Sequence, residues 1–311
     1  MDIMTLDAAL PDFNQMQRLQ DAMFERIDQW SGHVLPAVAQ QVEDLRILVL
    51  FVERGCKKSW IGAITLLEDR TFTPAEQNHE RASRLGSLLD RLDQHYAEFA
   101  RLTKRLEVFS LAAVSDAVPA LEARTVALQM QSETALARLQ RLQEQNDTIV
   151  QAIKVFDRPS ITQAFKGLIP SAEEVDLVMD TVKDPKVNAD LVKAVIAKLN
   201  TYADMIEASK TASDLVTAHA QTEARLKEAR DDHKRLQSVL QAAQVEQRAI
   251  LELSGLASDK QQWQDELGKV EREWTAHRKG LTTTMGSEAA TVALMDLYNY
   301  LKAVQRACDY A

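Results

Sequence analysis

Glycine and proline are scarce in this chain and unevenly placed, and their placement limits the fold more than any other feature. Of 311 residues, 9 are Gly and 7 are Pro, about 5% together against roughly 12% in average usage. Pro11, Gly32, Pro36, Gly55, Gly62, Pro74 and Gly86 crowd the start. No Gly then occurs until Gly167, and that interval holds only Pro119 and Pro159. Pro159, Gly167, Pro170 and Pro185 form a middle cluster. Beyond it there is no Gly until Gly255 and no further Pro. Taken as helix boundaries, these positions predict short helices, a long arm, a broken middle, a second long arm and short helices again. Sandwiches, barrels and βαβ repeats need far more turn residues than this chain supplies. The predicted class is all-α.

The first arm opens at Thr73-Pro74-Ala75-Glu76, which reads as a capping box with proline at the first helical position. Leu85, Leu89, Leu92, Tyr96, Phe99, Leu102, Leu106 and Phe109 follow at spacings of three and four, a coiled-coil rhythm. It continues less regularly through Val114, Leu121, Leu128, Leu136, Leu142 and Ile149. Pro119 is expected to kink or break the arm. From 75 to 157 it would run roughly 120 Å at 1.5 Å per residue. The second arm is expected from Ala189 past Gln247 as one run, with Leu191, Val195, Leu199, Leu215, Leu226 and Leu236 on its seam. It is polar at its centre, so it needs a partner helix, and the first arm folded back on it is the obvious one.

The termini supply helices that bury one another. Phe13, Met16, Leu19, Met23 and Ile27 form one amphipathic stripe, and Val38, Val42, Leu45, Leu48, Val49 and Val52 a more apolar one. Trp263, Leu267, Val270 and Trp274 lie on a third, where core packing is the expected role. Ser287 is a candidate N-cap for the last helix. The predicted architecture is elongated: a long antiparallel coiled-coil hairpin, or stalk, on a bundle of about five helices, with a short-helix tip. Its expected parts are a tail of residues 1–74 with 255–311, a stalk of 75–148 with 188–254, and a tip of 149–187.

In the middle segment, Pro159 ends the first arm. A short stretch follows with Ile161, Phe165, Leu168 and Ile169 on one side, broken by Gly167 and Pro170. Ser171 and Glu174 make a capping box for a helix carrying Val175 and Val178, stopped by Asp184-Pro185. Two readings stand open. Short helices can simply cap the hairpin end. Alternatively, apolar faces with interleaved charges can meet a membrane, where amphipathic helices in a ring line a water-filled channel and keep their backbone bonds internal.

Chemistry is sparse. Six histidines are scattered without HExxH or a Cys/His cluster, and His219 and His233 read as part of a solvated face. No phosphate loop and no GxSxG occur. Cys56 and Cys308 show no CxxC spacing and read as reduced thiols. Cys56-Lys57-Lys58 is a pattern that lowers a thiol pKa, but no histidine partner is implied. No enzyme, catalytic residue, cofactor or metal is expected. The net charge of −9 argues against nucleic acid, because phosphate contacts need a basic surface. The N-terminal MDIMTLDAALPDF is acidic and does not read as a Sec signal. The apolar run Leu45 to Val52, interrupted by Arg46, is far short of the ~20 residues of a spanning helix.

In layout, and in the tip sequence from VFDRPSITQAFKGLIPSAEEVD through TVKDPKVNADLV to KLNTYAD, the chain resembles the cytolysin A-like α-pore-forming toxins. More narrowly, it looks like the smaller (B) component of the α-xenorhabdolysin-type binary toxins. The resemblance implies a chain made soluble without a Sec signal, released, and joined at a target-cell lipid membrane by a larger A-type component. The pairs then assemble into a ring whose tip helices insert. Carried onto this sequence, the membrane-inserting residues would be Ile153, Phe156, Ile161, Phe165, Leu168, Ile169, Val175 and Val178. Lys154, Asp157, Lys166 and Glu173 would face water as pore-lining candidates. The chain departs from the cytolysin A pattern in lacking a long apolar tongue. The rival reading is a non-enzymatic structural spacer, of secretion-apparatus or phage-related type, whose tip is only a polar cap.

Overall fold

A computed structural model describes residues 10–68, 78–178, 182, 189–202, 211–284 and 289–311. Among them the chain is all-α, with ten α-helices, one 3-10 turn and a single isolated bridge, Leu168 to Thr211. The helices are α1 (Phe13–Trp30), α2 (Pro36–Glu68), α3 (Asn78–Glu107), α4 (Ala112–Phe156), α5 (Pro159–Ala164), α6 (Ala172–Val178), α7 (Ala189–Thr201), α8 (Ala212–Ser254), α9 (Leu256–Thr284) and α10 (Ala289–Asp309). They belong to two compact units, one of Met1–Glu122 with Val245–Ala311 and one of Ala123–Gln244.

In the first unit, α1 starts at Asp12, whose carboxylate accepts from the Gln15 amide at 2.9 Å. Its stripe Phe13, Met16, Met23 and Ile27 is buried. The α2 helix departs from the sequence expectation. Gly55 and Gly62, read above as boundaries, lie inside one 33-residue helix. Neither glycine ends anything, because each makes room for a neighbouring side chain. A Cβ on Gly55 would meet Leu102 Cδ1 at 2.4 Å, and one on Gly62 would meet His95 Cε1 at 2.4 Å. Both contacts come from α3, seven residues apart on each helix, so the two helices run antiparallel with their axes drawn together.

The α3 seam residues Leu85, Leu92, Phe99, Leu102 and Leu106 are buried as their spacing implies. They join the core built by α1, α2, α9 and α10. Aromatic rings run through that core from Phe13 to Trp60 (5.9 Å between centroids), to Phe99 (6.4 Å), to Trp274 (5.7 Å) and to Tyr96 (5.8 Å). Trp263 and Trp274 are both core residues, as expected.

The first arm breaks at residues 108–111, whereas Pro119 lies inside α4. A side chain from far along the chain is bonded to this break. Buried Lys260 on α9 donates its ammonium to the carbonyls of Leu106 (3.2 Å) and Phe109 (2.8 Å), with Glu107 O at 3.5 Å. These are acceptors that a helix end leaves without intrahelical partners. Burial lowers the Lys260 pKa, and Glu107 opposes that shift.

In the second unit, α4 and α8 run antiparallel. Leu142 packs with Leu226 and Ala229, and Arg230 donates to Gln143 Oε1 at 2.7 Å. Thr125, Ser132, Gln145, Thr148 and Thr222 are buried in these helices, so the pairing is more polar than a leucine seam. The second arm is not one run. A capping box opens α8, with the Thr211 amide donating to Asp214 Oδ2 (2.8 Å) and the Asp214 amide to Thr211 Oγ1 (3.2 Å), while α7 ends at Thr201. Local bonds to the Thr and Asp side chains start a new helix there. The expected caps at Thr73 and Ser287 and the stop at Asp184-Pro185 lie outside the described residues.

Candidate functional site: the tip

The tip is built from the end of α4 onward. Arg158 is extended (ψ 130°) and Pro159 occupies the first turn of α5, the geometry a pre-proline residue favours. Thr162 Oγ1 donates to Phe156 O at 2.8 Å and to Arg158 O at 3.0 Å, stitching α5 onto the end of α4. Past Phe165, Lys166 (φ 51°) and Gly167 (φ 74°) turn left-handed. The Gly167 amide then donates back to Thr162 O at 2.9 Å, a Schellman-type end. The chain passes the bridge of Leu168 to Thr211 and reaches the Ser171–Glu174 box. There the Ser171 amide donates to Glu174 Oε2 (2.8 Å) and the Glu174 amide to Ser171 Oγ (3.3 Å). Lys193 of α7 donates to Asp176 Oδ2 of α6 at 2.6 Å.

These turns fold the apolar faces inward. Phe156, Ile161, Phe165 and Val175 are buried in one cluster, and Ile153, Ile169 and Val178 pack against it half-buried. Leu168, grouped with Ile161 and Phe165 by the sequence, is instead 55% exposed. It follows the left-handed pair 166–167, which ends the helical register that placed it on that side. Lys154, Asp157, Lys166 and Glu173 are all exposed.

Two features were not read as tip. Val192, Val195, Ile196 and Leu199 of α7, with Leu215 of α8, complete the tip core, although three of them had been placed on the second-arm seam. The signal available was the Thr211-Ala212-Ser213-Asp214 box, which detaches α7 from α8. Leu177 was not singled out at all, and it is 80% exposed beside Asp176. Its position between Val175 and Val178 puts it off the buried stripe.

Burial, with Glu271 and Glu98 nearby, pushes the Cys56 thiol up, opposite to the activation its lysine neighbours suggested. Both cysteines are free and border one cavity of about 120 Å³ with Met16, Trp60 and Trp263. His219 lies 3.6 Å from Glu223. Among the described residues, no group of three or more His, Cys, Asp or Glu side chains is placed to hold a metal. No helix among them is long and apolar enough to cross a membrane.

No protein-family model and no curated protein matches the chain. Solved structures do. PaxB from Photorhabdus luminescens is similar at 14% identity, with a TM-score of 0.67 over 96% of both chains. XaxB from Xenorhabdus nematophila is similar at 11% identity, with a TM-score of 0.68 over 96% of this chain and 97% of that one. A chain of the XaxAB pore complex from Xenorhabdus nematophila is similar at 13% identity, with a TM-score of 0.56 over 95% and 97%. Across nearly its whole length, the chain has the fold of PaxB and XaxB.

Proposed function

We propose that the chain is the smaller, non-enzymatic component of a two-component α-helical pore-forming cytolysin. It joins a larger A-type partner at a target-cell lipid membrane. The pairs close into a ring, and amphipathic tip helices permeabilise the bilayer. The observation that carries this reading is the fold likeness to XaxB and PaxB across about 96% of both chains, one relative of that fold being a member of a pore complex.

The tip fits the role in chemistry. Phe156, Ile161, Phe165 and Val175 form its apolar side, while Lys154, Asp157, Lys166 and Glu173 face water. Insertion then requires the tip core to open and exchange protein neighbours for lipid or adjacent subunits. The helices keep their own backbone bonds on insertion, while the Leu168–Thr211 bridge between segments has to be given up or replaced. The tie between α6 and α7 outside that core, Lys193 to Asp176, joins side chains 36% and 60% exposed. Exposed pairs contribute little to stability, so this tie opposes opening only weakly.

The rival reading, a structural spacer with a plain cap, draws support from the same buried tip core. Electron microscopy of the chain mixed with a larger A-type component, on liposomes, separates the two. Rings spanning the bilayer support the pore. Unchanged rods or monomers on intact liposomes support the spacer.

A further inference from the structure

The α2 helix is apolar on two sides. Its inner side, including Val42, Val49, Val52, Trp60 and Ala63, lies in the core of the first unit. Its outer side is a second seam. Ile47, Phe51, Arg54, Lys58, Ile61 and Thr65 are all exposed, and their spacings are four, three, four, three and four. Ile47 is 63% exposed, Phe51 45% and Ile61 44%.

That rhythm selects the shape of an occupant. A stripe repeating every 3.5 residues stays against one neighbour only when the neighbour is another helix wound with it. About five turns of it on a single helix are wasted on a small ligand, and its centre is cationic rather than apolar. Arg54 and Lys58 sit there, and Arg105 of α3 lies over the Phe51 ring at 5.2 Å. No carboxylate occupies the six positions, and among the described residues neither Arg54 nor Lys58 forms an ion pair. Glu98, whose carboxylate feels Lys58, is held by Arg101 through bonds of 2.7 and 2.9 Å.

The charges also select the sign of the occupant. This basic and apolar stripe lies on a chain of net charge −9. A second copy docking by the same face about a two-fold axis would set Arg54 and Lys58 against themselves, which like-charge repulsion opposes. An acidic helix meets no such penalty.

We propose that the outer face of α2 is the docking seam for one helix of a protein partner. That helix carries apolar residues opposite Ile47, Phe51 and Ile61 and carboxylates opposite Arg54 and Lys58. The proposal rests on the reading of the chain as one member of a multi-part assembly, and it supplies the site and chemistry of the contact.

The test uses the full chain and two synthetic 28-residue helical peptides with leucine at the seam positions. One carries two glutamates at the centre of its seam and its twin carries two lysines. Binding is read by fluorescence anisotropy. The acidic peptide is expected to bind at least tenfold more tightly, the equivalent of about 1.4 kcal/mol, with an advantage that shrinks as salt rises. The R54E/K58E double variant is expected to reverse the preference, and F51D to weaken both peptides. These positions are exposed, and unchanged melting curves verify that the variants fold. Equal binding of the two peptides, or a preference unmoved by R54E/K58E, overturns the proposal. Self-association that F51D abolishes would seat a second copy on the seam and also overturn it. No membrane enters this measurement. A failed peptide test beside working pores removes the seam alone, and a selective peptide beside intact liposomes removes the pore alone.

Discussion

Gly62 of α2 and His95 of α3 share one space: a Cβ on the glycine would lie 2.4 Å from the imidazole Cε1. Glycine inside a helix ordinarily costs about 0.5–1 kcal/mol relative to alanine, so Gly62→Ala would stabilise an isolated helix. Here it must displace the ring. Gly62→Ala is expected to destabilise the first unit by about 1–2 kcal/mol, an overpacking cost. In the His95→Ala background the same change is expected to be neutral or stabilising. A double-mutant cycle by urea denaturation measures the coupling, and additive effects would show that the glycine is not there for the histidine.

Lys260 ties α9 to the end of α3 by donating to backbone carbonyls at Leu106 and Phe109. Lys260→Ala removes the donor to the part-buried Phe109 carbonyl, while Leu106 O keeps the Phe109 amide, a loss of about 1 kcal/mol. Hydrogen exchange is expected to rise first around residues 104–112. Unchanged protection there would mean the break at 108–111 is held by other contacts.

Acid should weaken the first unit. Burial lowers the pKa of His277 against the pull of Glu273 and Asp296, and its buried Nε2 has no hydrogen-bond partner among the described residues. Its ring lies 5.5 Å from that of Tyr300. Burial lowers His95 too, with Arg91 and Lys58 adding to the effect. Each histidine therefore binds its proton more weakly folded than unfolded. The stabilisation is whole above the unfolded pKa of about 6.5 and is lost as pH falls from there toward the folded values. The slope within that window is at most about 1.4 kcal/mol per pH unit for each histidine. Urea midpoints at pH 7.5 and 5.5 should fall with acid, and the fall should shrink in His277→Gln. A midpoint that rises toward pH 5.5 would contradict the sign.

The two thiols should behave differently. Cys56 is fully buried with its pKa raised, whereas Cys308 is half-buried and Lys57 partly offsets the rise there. Thiolate is the reactive form. A disulfide-exchange reagent at pH 8 is expected to modify one thiol slowly in the native chain and a second only after unfolding. Rapid modification of both would contradict the packing around Trp60.

In the tip, Phe165→Asp and Leu177→Asp should part company. Phe165 is 8% exposed within the tip core and Leu177 is 80% exposed. A carboxylate at Phe165 is expected to open the tip to proteolysis between 158 and 178 while the first unit stays folded. The same change at Leu177 is expected to leave the protease pattern unaltered. Equal sensitivity of the two variants would mean the tip core does not hold the tip together.

Several of these features were legible in the sequence. The Ser171–Glu174 box and the proline at 159 define turns by local chemistry, and both appear as written. The rhythm from Leu85 to Leu106 marks the buried side of α3 correctly. It names the wrong neighbour for this stretch, the second arm instead of the terminal helices that α3 packs against, because a 3-4 rhythm states that a helix has a seam and not which helix fills it. Gly55 and Gly62 misled for a related reason. A glycine marks either a turn or a close approach, and only the presence of Leu102 and His95 decides between them. The break at 108–111 carries no Gly or Pro, and the side chain bonded to its carbonyls, Lys260, is 151 residues away from Phe109. The start of α8 is legible at Thr211–Asp214, although the periodicity alone joins α7 and α8 into one arm. Of the candidate tip residues, Phe156, Ile161, Phe165 and Val175 are buried together, and Lys154, Asp157, Lys166 and Glu173 are exposed. Leu168 left the apolar set because two left-handed residues precede it, and a 3.6 period does not carry across such a turn.

Dye release from liposomes tests the central claim most directly, with the chain alone, the larger partner alone and the two together. The account predicts leakage from the mixture far above either component, lost when the Phe156–Phe165–Val175 core is held shut by a cross-link between α6 and α7 and regained when the link is cleaved. Intact liposomes with a cognate partner present, or leakage indifferent to the locked tip, would contradict it.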